Sequence, residues 1–200
     1  MNIALSPQKI PIPWEDYVSG YFDRAMIPWA RFRYSKDGVI EVSGEVLRNV
    51  DIAGELYSTF RAEIKRSALD WKCYMNSISL EVELSDKEER IPDVMVITKD
   101  THRMIGDESR IVTFDMPAPI LVIEVISPSS VKEDLEVKPF EYMHRGVGEY
   151  VAIDWRKERV QVWSHTDGKN YNFVEYGAGE RMVLNSFPEL KLSVDDVITG

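Results

Sequence analysis

Apolar positions along the chain change their spacing several times, and each spacing predicts a different element. From about Val50 to Leu69, apolar residues recur every three or four positions, which predicts an amphipathic helix. Residues 121–126 form an apolar run broken only by Glu124, and such a run predicts a central strand covered on both faces. Further strands are predicted over residues 74–84, 91–98, 150–155 and 159–163.

The remaining segments predict the edges of the fold. Residues 13–26 have aromatic side chains at helical spacing, so we expect a short helix there. Asp37-Gly38 lies between two alternating segments and predicts a hairpin. Residues 99–118 form a long polar stretch that we expect to be a flexible loop. A helix is expected within residues 131–145, beginning near Lys138 because a proline follows.

These elements predict an α/β fold with a central mixed β-sheet flanked by helices. The helix after residues 120–126 makes the next strand a parallel neighbour, whereas the acidic turn near residues 85–89 predicts an antiparallel pair. We expect a single domain over residues 1–200, because no linker divides the chain. Its predicted parts are a core at about 50–164, an N-terminal helix and hairpin at 13–42, and C-terminal strands at 171–195.

Composition narrows the classes of function. The formal net charge of -10 argues against a broad, non-specific nucleic-acid binder, although a nuclease with an acidic active site remains compatible. Two basic clusters, at residues 61–66 and 156–159, could guide a phosphate backbone or simply face solvent. No apolar stretch reaches the roughly 18 residues that span a bilayer, so no membrane partner is expected. The single cysteine, Cys73, is expected in the core and fits a cytoplasmic protein.

Glu124 is the chemical anomaly of the sequence. A charged carboxylate within a buried strand costs several kcal/mol unless a cation or several donors compensate it. A salt bridge and a metal site both remain open as explanations. Asp93, at the start of the preceding strand, could lie beside Glu124, and two such carboxylates favour a shared divalent ion. Oxygen ligands without neighbouring Cys or paired His favour Mg²⁺ or Mn²⁺ over zinc.

Pro92-Asp93, Glu124 and Lys138 together resemble the pattern of the PD-(D/E)XK nuclease superfamily. More narrowly, the segment from about Ile91 to Asp154 resembles the Uma-two restriction endonuclease family, which implies a restriction-endonuclease-like fold. The match rests on the run 119–129 together with Asp134, Lys138, Tyr142, Gly146-Val147, Glu149-Tyr150 and Asp154. The chain departs from the family around residues 49–53, where a histidine is common.

The resemblance also implies an activity and its residues. In the superfamily, the lysine usually follows the glutamate by two residues, but position 126 is isoleucine, so Lys138 is the candidate. Asp93, Glu124 and the carbonyl of Val125 would hold Mg²⁺, and Lys138 would orient water or stabilise the transition state. The substrate would be DNA, and a homodimer is expected, since nucleases of this fold commonly pair to cut two strands.

Two accessory positions and two rival functions remain open. Glu55 could complete the metal shell or face solvent, and Tyr142 could contact phosphate or pack. The first rival is a nuclease-fold binding or regulatory protein that no longer cleaves. The second is a structural protein in which Glu124 forms an ion pair with Lys138 and no metal enters.

Overall fold

The N-terminal part of the chain forms a helix and a hairpin. In the computed structural model, helix α1 covers Trp14–Val18, and strands β1 (Phe32–Ser35) and β2 (Gly38–Glu41) pair antiparallel, as the Asp-Gly signal predicts. The rest of the predicted helix at 13–26 and the turn of the hairpin lie outside the described residues. The structure describes residues 12–18, 32–35, 38–41, 46–83, 88–107, 109–165 and 170–199.

The predicted amphipathic helix is present as α2, Leu47–Arg66, and begins three residues earlier than its pattern suggests. Its buried residues recur every three or four positions and face the sheet. The strand predicted at 74–84 is wrong as one element. It is split into β3 (Trp71–Met75) and β4 (Ser79–Glu83) because Asn76 takes a left-handed conformation with φ +49°, which asparagine tolerates better than most residues.

Residues 88–112 contain more helix and strand than their composition predicts. Strands β5 (Glu88–Arg90) and β6 (Val94–Thr98) lead into helix α3, Lys99–Ile105, and the short strand β7, Ile111–Val112. The prediction of a long flexible loop at 99–118 is therefore wrong. The Thr98 hydroxyl accepts a hydrogen bond from the Thr101 backbone N–H at 3.0 Å, so a side-chain cap begins a helix too short to show clear periodicity.

Strand β8, Leu121–Val125, follows and is buried throughout, as its apolar run predicts. The chain then turns helical at residue 131, passes through a π-helical segment, Glu133–Val137, and continues as α4, Lys138–Arg145. The predicted helix start near Lys138 is thus wrong. Pro139 clashes with a regular helix ahead of it, and the widened π-turn lets the helix run on. The remaining elements are β9 (Glu149–Asp154), β10 (Arg159–His165), β11 (Tyr171–Gly177), β12 (Arg181–Met182), β13 (Leu192–Ser193) and α5 (Val194–Thr199).

The main sheet has the strand order β11-β10-β9-β8-β6-β3. Strands β8 and β9 are parallel and the other neighbours are antiparallel, which confirms a mixed sheet with a helical crossover. Helix α2 covers one face and α4 with β4 covers the other. Gly148 allows the crossover to rejoin the sheet, because a Cβ there would lie 2.7 Å from the Ile120 carbonyl oxygen.

Cys73 lies in the core on β3, as expected, where burial raises the pKa of its thiol to about 12. None of the helices in the described ranges is long and apolar enough to cross a membrane.

Candidate active site

Glu124 is a buried carboxylate in the middle of the main sheet, with 4% of its surface exposed. It shares a sheet face with Val122, and α4 covers that face. Its Oε1 accepts a hydrogen bond of 2.6 Å from the Tyr142 hydroxyl, and Lys138 Nζ lies 2.9 Å from the same oxygen. Both partners of this carboxylate therefore come from α4.

Lys138 joins Glu124 to a second buried carboxylate. Its Nζ lies 2.7 Å from Asp134 Oδ1, and the Ser130 hydroxyl donates to the other oxygen of Asp134. The Tyr150 hydroxyl holds the same segment by donating to the Asp134 carbonyl at 2.8 Å. A single ammonium group is thus shared by two carboxylates from two different elements.

Asp93 brings a third buried carboxylate to the same end of the sheet. It immediately precedes β6, whose Val94 pairs with Ile123 on β8, so one further step of the register places Asp93 beside Glu124. The Val125 backbone N–H donates to Asp93 Oδ2 at 2.7 Å. The register therefore places Asp93 opposite Glu124 on the neighbouring strand, and a metal ion shared by their carboxylates stays a prediction.

Burial and neighbouring charges shift the pKa of several side chains in this cluster. Burial raises the pKa of Glu124, while the Lys138 ammonium opposes that rise by favouring the charged form. Burial works against the charge of Lys138, but Glu124 and Asp134 outweigh it and raise the pKa of the ammonium. Burial and the Glu124 charge raise the pKa of Tyr142, so its hydroxyl remains a hydrogen-bond donor. Perturbations of this kind are typical of functional sites and of buried ion pairs.

The oxygen ligands at this site fit a hard divalent cation. Tyr142 and Lys138 both bind Oε1 of Glu124. One ammonium does not balance the two carboxylates that it touches. Within the described chain, no three His, Cys, Asp or Glu residues converge as a metal-binding group. Two carboxylates and one carbonyl match Mg²⁺ or Mn²⁺, which keep several water ligands.

Asn49 is a site residue that sequence reasoning did not select. Its amide nitrogen donates to the Val125 carbonyl at 2.9 Å, and its amide oxygen accepts from the Trp155 indole N–H at 2.9 Å. Only 3% of its surface is exposed. The signal was present in the sequence, because Asn49 is a polar residue on the apolar stripe of α2. It fixes the carbonyl that the sequence proposed as a metal ligand.

Replacing Asn49 by alanine should lower the free energy of unfolding by about 1–3 kcal/mol, because it leaves a buried carbonyl and a buried indole N–H without partners. Urea denaturation followed by circular dichroism measures the change. Asn185→Ala is the matched control, since Asn185 is exposed and only its backbone N–H forms a hydrogen bond. Equal stability of the two variants would show that the Asn49 contacts are not needed.

The two accessory residues, Glu55 and Tyr142, differ in exposure and in contact with the cluster. Glu55 is exposed on α2, as a solvent-facing residue would be. Tyr142 is fully buried and its ring packs 5.0 Å from that of Tyr150, centroid to centroid. Its hydroxyl is directed at Glu124, so it orients the carboxylate from within the core and does not face a phosphate outside it.

Helix α4 is fixed over the sheet by Arg90 of β5. The Arg90 guanidinium binds both oxygens of Glu141 at 2.8 and 2.7 Å and lies 3.0 Å from Glu133. Bidentate pairs of this kind restrict orientation as well as distance. Arg90 therefore holds the segment from which Lys138 reaches the strand.

A protein-family model matches this chain, and a solved structure is similar to it. A family model described as "Uma2: Putative restriction endonuclease" matches residues 14–195. Among solved structures, the chain is similar to a "putative nuclease belonging to DUF820" from Anabaena variabilis ATCC 29413, with a TM-score of 0.67 and 16% identity. That alignment covers 89% of this chain and 95% of the other, and at this identity it shows a shared fold alone. No curated protein matches the chain.

Proposed function

The chain belongs to the family described as "Uma2: Putative restriction endonuclease", and on that premise we propose that it is a Mg²⁺-dependent endonuclease that hydrolyses DNA phosphodiester bonds. One observation carries the proposal. A buried lysine on a helix lies between two carboxylates, Glu124 and Asp134, and a third, Asp93, adjoins on the neighbouring strand. Fold stability does not require such a group of charges, because apolar residues of similar volume would serve a buried core as well or better.

The metal ligands in this proposal are the carboxylates of Asp93 and Glu124 and the carbonyl of Val125. A divalent cation held there would polarise the scissile phosphate and lower the pKa of a bound water molecule. Asn49 holds the Val125 carbonyl, and Tyr142 fixes the orientation of Glu124. The rigid strands β6 and β8 supply the ligands, so their spacing is set before any substrate arrives.

Lys138 supplies the positive charge of the site. Its ammonium donates hydrogen bonds and is placed to orient the attacking water or to stabilise the extra negative charge on the phosphate in the transition state. Asp134 also binds the ammonium and is a positioning residue. A homodimer would place one such site on each strand of a duplex.

A structural role is the main rival, because the Glu124–Lys138 ion pair at 2.9 Å is also what that role predicts. A nuclease-fold binding protein that no longer cleaves is the second rival. Metal binding and cleavage separate the three. A purely structural cluster binds no metal, and a non-cleaving relative binds metal without cutting any substrate.

The test titrates Mg²⁺ or Mn²⁺ into wild type, Asp93→Asn and Glu55→Gln, and incubates each with plasmid and single-stranded DNA. We expect wild type and Glu55→Gln to bind the metal and cut, because Glu55 is an exposed carboxylate outside the cluster. Asp93→Asn should lose metal affinity by about tenfold or more, since ligands and their supports commonly account for that much. Metal binding by wild type without cutting of either substrate would overturn the nuclease assignment.

A further inference from the structure

A second concave surface, here called the basic groove, lies between the C-terminal half of α2 and the edge strand β3. Its volume is about 590 Å³, within the range of ligand sites. It is separate from the Glu124 cluster, because Trp71 begins β3, whereas the Asn76 N–H, which binds the Asp93 carbonyl, lies just past the other end of that strand. The side chains of the groove used below are Tyr57, Arg61, Lys65, Trp71, Lys72 and Lys99.

The groove is positively charged in a chain whose formal net charge is -10. Its described lining contains no carboxylate. Arg61, Lys65 and Lys72 form no ion pair with any residue that the structure describes, whereas Lys99 pairs with the exposed Asp70. Uncompensated cations gathered on an acidic protein create a local potential that attracts polyanions.

The other basic cluster of the sequence is different, because carboxylates neutralise it. Arg156 and Lys157 both contact Asp154, at 3.2 and 3.7 Å, and Arg159 pairs with Glu175. In the cluster at residues 61–66, Arg66 is likewise paired with Glu63, but Arg61 and Lys65 keep their charge available for a ligand.

Aromatic rings lie among the cations of the groove. Trp71 and Tyr57 are half-buried, and the Arg61 guanidinium lies over the Tyr57 ring, 5.3 Å from its centroid. Trp71 packs edge-on against Phe187, which fixes the indole in place. A positive surface with fixed aromatic faces is the combination by which proteins hold single-stranded nucleic acid, since phosphates meet the cations and bases stack on the rings.

We propose that the basic groove binds a segment of single-stranded nucleic acid, with phosphates at Arg61, Lys65 and Lys72 and a base stacked on Trp71 or Tyr57. As a substrate-holding surface this rests on the proposed function.

The test measures the fluorescence anisotropy of a labelled single strand of about 12 nucleotides, a length within the range held by single-strand binding proteins. EDTA is present, so no cleavage occurs. Compared with wild type, Lys65→Gln/Lys72→Gln should weaken binding about tenfold and reduce the slope of log affinity against log salt by about 1.4, as loss of two phosphate contacts predicts. Arg181→Gln/Lys191→Gln is the control, because it removes the same charge from exposed positions outside the groove.

Binding of an abasic strand, thermal unfolding and DNA cutting complete the test. An abasic strand of the same length should bind about tenfold more weakly than the normal strand, since stacking is lost. Thermal unfolding of both double variants should match wild type, because all four side chains are exposed. Equal weakening in both double variants would overturn the proposal that the basic groove binds single-stranded nucleic acid. So would binding of the abasic strand as tight as that of the normal strand. If wild type binds as expected but never cuts DNA, the proposed function fails and the groove stands.

Discussion

Glu124→Gln is expected to abolish metal-dependent DNA cutting, lowering turnover by about a thousandfold. Glutamine keeps the volume of the side chain and can still accept the Tyr142 hydrogen bond, but it removes the negative charge that would hold the cation. The measurement is plasmid cleavage in Mg²⁺, with Mn²⁺ affinity from calorimetry. Cleavage at the wild-type rate would remove Glu124 from the mechanism.

The same variant should fold at least as stably as wild type, which separates loss of function from loss of structure. Burial raises the pKa of Glu124, so the cost of its buried charge is absent at acidic pH and appears as the pH rises above the ordinary range of a glutamate. The free energy of unfolding of wild type should fall as the pH rises through that range, whereas that of Glu124→Gln should not. Lys138 keeps Asp134 as a partner at 2.7 Å. Urea denaturation at acidic and neutral pH gives the comparison.

Lys138→Met should destabilise the metal-free protein by about 3–5 kcal/mol, because it leaves two buried carboxylates without their cation. Mn²⁺ should restore part of that stability if the carboxylates bind the ion. Turnover should fall about a hundredfold, within the range for loss of one group that stabilises developing negative charge. Denaturant titrations with and without Mn²⁺, followed by cleavage assays, measure each effect.

Lys132→Met is the matched control for that experiment. Lys132 lies on the same helical segment and forms no ion pair with the described residues. It should leave both stability and turnover close to wild type. If Lys138→Met behaves like Lys132→Met, the buried ion pair contributes neither to folding nor to chemistry.

The sheet and the position of Glu124 followed from the sequence because both rest on local patterns. A strand that is apolar on both faces can only be central, and a carboxylate within it needs a partner. The parallel neighbour of β8 followed from the helix between the two strands, since a crossover reverses the chain direction twice. The fold class is the part of the prediction that the structure confirms.

The site was harder to predict because it depends on details that periodicity does not carry. Pro139 indicated a helix start, but the π-turn before it lets the helix begin earlier and brings Asp134 onto Lys138. Asn49 is recognised as a site residue only when the start of α2 is seen against β8. Lys138 came from a family resemblance, and its catalytic role stays a prediction.

The widened turn at Glu133–Val137 absorbs one residue more than a regular helical turn would. Removing one residue there would replace i→i+5 hydrogen bonds by i→i+4 bonds, so the later side chains would keep nearly the same angle around the axis. Removing one residue from the regular turn between Lys138 and Tyr142 would instead rotate every later side chain by about 100°. That deletion would turn the phenol away from β8 while leaving every side chain of the cluster in the sequence. The number of residues between Lys138 and Tyr142 therefore determines the site as strictly as their identities do.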